Sequence, residues 1–256
     1  MNLDIETKDF FPEDKEQELK IQEIYNQMLI DYADPEKKYA GGDAARRYAR
    51  PGYITRLQQN HKAGSTYSYA GFDQLVAVSS GIIRHFLAPA QEMYSLAITE
   101  LGNEDNITSI KPSIQDEVIK KYSNNYLVGE FEKLKKDIDN NNTRQIQLEK
   151  LYRMIDSLGQ LFHLQLTSNS SERRVFSVAI TDTPDDEMNE IIDMGEQLGY
   201  FHKSTIGNKT GTGRNRLIIL SRILAPHFKL DATSFAGYKF MDSAKLRMAM
   251  IDTKRF

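Results

Sequence analysis

The side chains in this sequence whose spacing could do chemistry are mostly cations set near glycines, and their chemistry is the holding of anions. Arg84 falls in the first turn of an expected helix that follows the corner Ser79-Ser80-Gly81. The positive end of a helix dipole favours an acid at that place, so a cation there is either an ordinary solvent-exposed arginine or one that meets a negative group supplied from elsewhere. A second set, Lys203, Lys209, Arg214 and Arg216, brackets the glycine-rich run GNKTGTG at Gly207–Gly213. Such a set is either a solvated hairpin tip or a set of cations that neutralises the phosphates of a nucleic acid. A third set, Arg46, Arg47, Arg50 and Arg56, is interleaved with Tyr48 and Tyr53. Basic and aromatic residues in this mixture can grip a single strand through phosphates and stacking, but arginines beside an acidic helix more simply pair with it.

Other chemistries lack their residues. No GxxxxGK[ST] loop is present, and in GNKTGTG the lysine precedes the second glycine with no strand–loop–helix around it. Gly211-Thr212-Gly213 fails the dinucleotide pattern because Arg216 stands at the third glycine position. The histidines His61, His85, His163, His202 and His227 are scattered without a carboxylate at ligand spacing, and His85 reads as helix surface. With no cysteine, disulfides, thiolate zinc sites and cysteine nucleophiles are excluded. The expectation is a chain that does not bind and hydrolyse ATP by itself.

The elements that position these residues follow from periodicity. Lys15–Tyr32 carries Ile21, Ile24, Tyr25, Met28 and Leu29 at helical spacing, ended by Pro35 and the Gly41-Gly42 pair. Tyr67–Ile98 reads as two helices. Phe72, Leu75 and Val76 line the first; Ser79 or Ser80 caps the second, whose apolar positions are Ile82, Ile83, Phe86, Leu87, Ala90, Met93 and Tyr94. Arg84 lies roughly 130° from the centre of that face. Ile114–Ile138 is a further helix, and the Asn run of DIDNNNT at 137–143 marks a domain boundary. Beyond it come a helix through Leu148–Phe162, a strand VFSVAIT, and a helix opened by Thr183 as cap with Pro184 at N1 and closed at Gly199. Two strands, YFHKSTI and RLIILS, then flank the glycine-rich turn, and a short helix Ser243–Ile251 ends the chain. The fold class is mostly α with a small β-hairpin or three-stranded sheet. Its divisions are 1–64, an acidic helix and basic linker; 65–142, a helical subdomain; 143–230, helix, strand, helix and hairpin; and 231–256, a tail.

The Ser-Gly corner followed by x-x-Arg and an apolar helix resembles the sensor-2 segment in the lid of AAA+ ATPases, among them the prokaryotic relatives of the origin-recognition and replication-initiator proteins. The order of elements after it is similar to the winged-helix domain with which those chains end. The resemblance covers roughly residues 65–230. It implies that Arg84 reaches the terminal phosphate of a bound nucleotide, with Gly81 permitting close approach. It also implies a lid-like subdomain at 65–142 and a degenerate winged helix at 143–230, with Lys203, Lys209, Arg214 and Arg216 on its wing. No cofactor is expected in this chain; ATP and magnesium would be bound with a separate ATPase core, the chain being a piece whose core lies upstream or in another chain. The function implied is a non-catalytic regulatory and partner-binding module. Its partners would be that ATPase core, a protein, and weakly a nucleic acid through the wing, in an oligomer. The alternative is a standalone helical and winged-helix adaptor without a nucleotide link.

Charge is laid down in blocks. Residues 1–36 hold 3 basic against 11 acidic side chains, 37–62 hold 7 against 1, 182–198 hold none against 7, and 199–230 hold 6 against none. Six carboxylates, from Asp185 to Glu196, lie along the helix that would face DNA, where they would oppose its phosphates. The acidic opening is unlike a signal peptide, and no apolar run approaches the ~20 residues of a membrane span, so a cytoplasmic protein is expected.

Overall fold

A computed structural model of the chain describes residues 6–31, 41–59, 66–102, 107–137, 142–168, 172–208, 213–233, 237–251 and 256. The protein is mostly helical with one small sheet. It divides into two units, 1–122 with 167–169 and 231–234, and 123–166 with 170–230 and 235–256. The boundary expected at the asparagine run lies, for residues 138–141, outside the described residues.

The first unit is built from helices and a buried segment, Tyr67–Gly71, that belongs to none of them. Its helices are α1 (Thr7–Phe10), α2 (Lys15–Asp31), α3 (Gly41–Gln59), α4 (Phe72–Ser79) and α5 (Ile83–Leu101), together with the first turns of α6 (Pro112–Asn124). Helix α2 buries Gln17, Ile21 and Ile24 at i, i+4, i+7, the face the sequence periodicity predicts. Helix α3 has no counterpart in the sequence reading, because Gly41-Gly42 reads as a breaker and the basic stretch after it as linker. It continues through Pro51, giving up one helical hydrogen bond, and buries Ala45, Ala49, Tyr53 and Ile54.

The second unit contains the remainder of α6, a π-helical turn (Asn125–Gly129), α7 (Glu130–Asp137), α8 (Asn142–Thr167), β1 (Val175–Ile180), α9 (Asp186–Gln197), β2 (Phe201–Gly207), β3 (Arg214–Leu220), a 3₁₀ turn (Arg222–Leu224), β4 (Gly237–Met241) and α10 (Ser243–Ile251). The sheet order is β2-β3-β1-β4. Strands β2 and β3 form the expected hairpin, and β1 pairs antiparallel with β3. The sheet has a fourth strand that was expected to be tail: β4 pairs parallel with β1. Alternation in β1 predicts one covered face, yet all six of its residues are buried, because it is an inner strand covered on both sides. Helix α8 turns Leu151, Met154, Ile155, Leu158 and Phe162 into this core, each at most 1% exposed. Burying each such side chain contributes about 1.5–3 kcal/mol.

The π turn lies beside two tyrosine hydrogen bonds. The Tyr200 hydroxyl donates to the Tyr126 carbonyl at 3.1 Å, and the Tyr126 hydroxyl donates to the Leu198 carbonyl at 2.9 Å. The wider turn therefore lies beside a pair of tyrosines that clamps the end of α9.

Candidate functional site: an outward arginine and a self-paired hairpin

The segment Tyr67–Gly71 leads into α4 and is buried at every residue without belonging to a helix or strand. Its backbone groups must therefore find side-chain partners. Gln17 acts as a substitute strand, accepting from Ser68 N at 2.7 Å and donating to Ser68 O at 2.8 Å. Asp116 accepts from Tyr69 N, and Gln115 accepts from Gly71 N, both at 2.8 Å. The Gln115 amide also donates to Ile110 O at 2.7 Å and to Pro12 O at 3.0 Å.

Arg50 anchors the other end. Its guanidinium makes a two-pronged pair with Glu18 at 2.8 and 2.9 Å and donates to the Tyr67 hydroxyl at 3.0 Å. Burial works against the charge on Arg50, but Tyr67, Glu18 and Asp231 outweigh it and hold the proton more tightly than usual. Burial likewise pushes the Tyr67 hydroxyl well up. Of the basic–aromatic set, Arg50 is thus committed to α2, and Arg47 pairs with Asp43 one turn away. Arg46 and Arg56 are exposed.

From this anchored segment α4 runs to the corner. Ser79 is not a cap for the next helix: its hydroxyl donates back to Val76 O at 2.7 Å. Ser80 ends α4 in the left-handed region with φ 53°, and Ile82 is the N-cap of α5 with no side-chain cap bond. Gly81 has φ 76° and open space where a Cβ would stand, so the corner needs glycine for its backbone and leaves room in front of it. The first turn of α5 holds no acid. Arg84 is exposed there, and among the described residues no partner is found for it.

The buried face of α5 differs from the expected one. His85 (1% exposed), Met93 (0%) and Ala97 (3%) point inward with Pro89, whereas Ile83 is 74% and Leu87 57% exposed. Apolar residues cover more than half of this helix, so composition leaves the inward side open. The choice falls on the side where His85 Nδ1 meets the Tyr122 hydroxyl at 3.1 Å. His85 is therefore core, not surface.

In the second unit the described wing cations, Lys203, Arg214 and Arg216, lie on the hairpin, but two of them are already occupied. Lys203 pairs with Asp193 at 2.8 Å and with Glu196; Arg216 pairs with Asp193 at 3.0 Å and donates to Asn189 at 2.5 Å. The hydrogen bond from Lys203 holds the Asp193 carboxyl below its usual range. Arg214 is exposed and donates to the Thr205 hydroxyl at 2.7 Å. Lys209 lies outside the described residues. At its other end α9 is capped by Asp185, which accepts from Met188 N at 3.0 Å, so the cap is Asp185 and not Thr183. Asp185 and Glu187 both pair with Arg247, and Glu187 also with Lys150. Cations of the same unit thus match most of the acidic face.

Among the described residues no group of His, Asp and Glu could hold a metal ion, and no helix is long and apolar enough to cross a membrane. A family model described as ORC-CDC6-like matches residues 3–240. No curated protein and no solved structure matches.

Proposed function

The chain belongs to the ORC-CDC6-like family, and on that premise we propose that it is a regulatory module of an initiator-like AAA+ assembly, reading nucleotide state through Arg84. The observation that carries this is the placement of Arg84 in the first turn of α5, exposed, with no acid in that turn and an open glycine corner before it. A guanidinium held this way costs its own fold nothing when a phosphate takes it up, and it adds charge stabilisation as the transferring phosphoryl group develops its own. ATP and magnesium are then bound by a separate core, in the same or another chain, and this chain contributes the cation. The test joins the chain to that core and measures phosphate release and nucleotide binding. Arg84→Ala should lose hydrolysis while nucleotide still binds; unchanged hydrolysis would remove the role.

The second unit supports a winged-helix reading through α8, β1, α9 and a hairpin with sheet order β2-β3-β1. It departs from a DNA reader in having one helix between β1 and the hairpin. The intramolecular pairing of Lys203 and Arg216 favours a protein-facing role, the adaptor function, over a groove-reading one. Nucleic-acid contact through the wing then falls mainly to Arg214 and Lys209 and is weak and steeply salt-dependent. Changing Lys209, Arg214 and Arg216 together to alanine should remove it, and tight, salt-resistant, sequence-specific binding would refute this assignment.

A further inference from the structure

Two exposed stripes on the first unit match each other in length and pattern. On α5, Ile83, Leu87 and Tyr94 are 74%, 57% and 38% exposed, at positions i, i+4 and i+11. On α2, Leu19 and Ile30 are 66% and 70% exposed at i and i+11, with exposed Glu23 at i+4. At 100° per residue each set falls within about 40° on its helix, and each spans about 17 Å along the axis. On α2 this stripe lies opposite the buried face of Gln17, Ile21 and Ile24. Both stripes are open to solvent, so neither covers the other within the chain.

Their charges are complementary. Arg84 flanks the α5 stripe, where the only acids on the helix, Glu92 and Glu100, are taken by Lys121 and Lys111. Glu23 sits between the apolar ends of the α2 stripe, exposed, and no cation is paired to it among the described residues. We propose that, without nucleotide, the α5 stripe of one copy docks on the α2 stripe of a second copy, with Arg84 of the first facing Glu23 of the next until a phosphate takes it up. Such a contact joins two different surfaces, so it propagates head to tail and does not stop at a symmetric pair. Apolar side chains supply the contact area, and the charge pair fixes register.

The test uses the full chain and sedimentation velocity over a concentration series, with circular dichroism to confirm folding of each variant. The wild type should gain mass with concentration and pass beyond a dimer. Leu87→Glu removes one stripe, and the double variant Leu19→Glu with Ile30→Glu removes the other. Each should be a monomer alone, while an equimolar mixture should form a heterodimer and go no further, since each retains the face the other lacks. Arg84→Glu should weaken association at least about tenfold, and combining it with Glu23→Arg should restore it. A wild-type chain that stays monomeric up to about 0.1 mM overturns the proposal. So does a wild type that associates but ignores the α2 variant, or a mixture that remains monomeric. Because nucleotide plays no part in this readout, its failure is separate from failure of the sensor role of Arg84.

Discussion

Replacing Gln115 by leucine tests whether the buried segment before α4 is held as described. Gln115 is fully buried, accepts from Gly71 N and donates to the carbonyls of Ile110 and Pro12. Leucine has a similar shape, so little cavity is created, but the buried Gly71 N–H, the buried Ile110 carbonyl and the half-buried Pro12 carbonyl lose their partner. An orphaned buried group costs about 1–3 kcal/mol, and carbonyls can recover part of it through their second lone pair. The expected loss is about 4 kcal/mol, read from urea unfolding by circular dichroism, in the transition that reports the first unit. Gln115→Glu sharpens the test. It keeps the acceptor for Gly71 but points a carboxylate oxygen at two carbonyls, which favours the protonated acid and raises its folded-state pKa above the unfolded value. The fold of this variant then binds more protons than the unfolded chain, so its deficit should shrink as pH falls through that window and grow as pH rises. A Gln115→Leu cost below about 1 kcal/mol, or a pH-independent Gln115→Glu cost, would show that the segment is held by something else.

Arg84→Ala should change stability by less than about 0.5 kcal/mol, as for an exposed surface residue, measured by the same urea titration. Gly195→Ala should destabilise despite the better helix propensity of alanine, because a Cβ there would lie 2.4 Å from Phe201 Cδ2 and 2.9 Å from Leu151 Cδ1; a raised melting temperature would contradict it. Asp185→Ala should cost about 1 kcal/mol through the lost cap, seen as an earlier transition of the second unit. Burial holds His163 and His227 below the ordinary imidazole value. Both are then neutral in the fold, and stability should fall as pH drops below about 6.5, where the unfolded chain takes up their protons. Replacing both by asparagine should flatten that dependence.

Regular periodicity made much of the fold legible, and polar groups inside the core did not. Helix α2, the β2–β3 hairpin and α10 are where their patterns predict them. Strand β4 stayed hidden because Gly237-Tyr238-Lys239-Phe240-Met241 has too short an alternation to announce a strand, and its partner lies about 60 residues away. Arg84 was legible from its corner, but the inward face of α5 was not, since hydrophobicity alone does not say which side Tyr122 will meet. The anchors Gln17 and Gln115 carried a signal that went unread. Gln17 stands at i−4 from Ile21 and Gln115 at i−3 from Val118, polar residues in apolar stripes, which marks a backbone segment needing hydrogen bonds. Pairing of Lys203 and Arg216 with α9 was implicit in the adjacent acidic and basic blocks but needed the hairpin's register to assign it.

The parallel strand β4 carries a consequence for synthesis. Strand β1 lies between β3 and β4, so one of its edges stays open until residues 237–241 have left the ribosome. Until then the nascent second unit exposes a row of unpaired backbone groups on a buried, fully apolar-flanked strand, the surface most prone to pairing with a neighbouring chain. Release of a chain truncated before Gly237 should therefore yield aggregates rather than a three-stranded intermediate, and residues 237–241 act as the seal on the sheet.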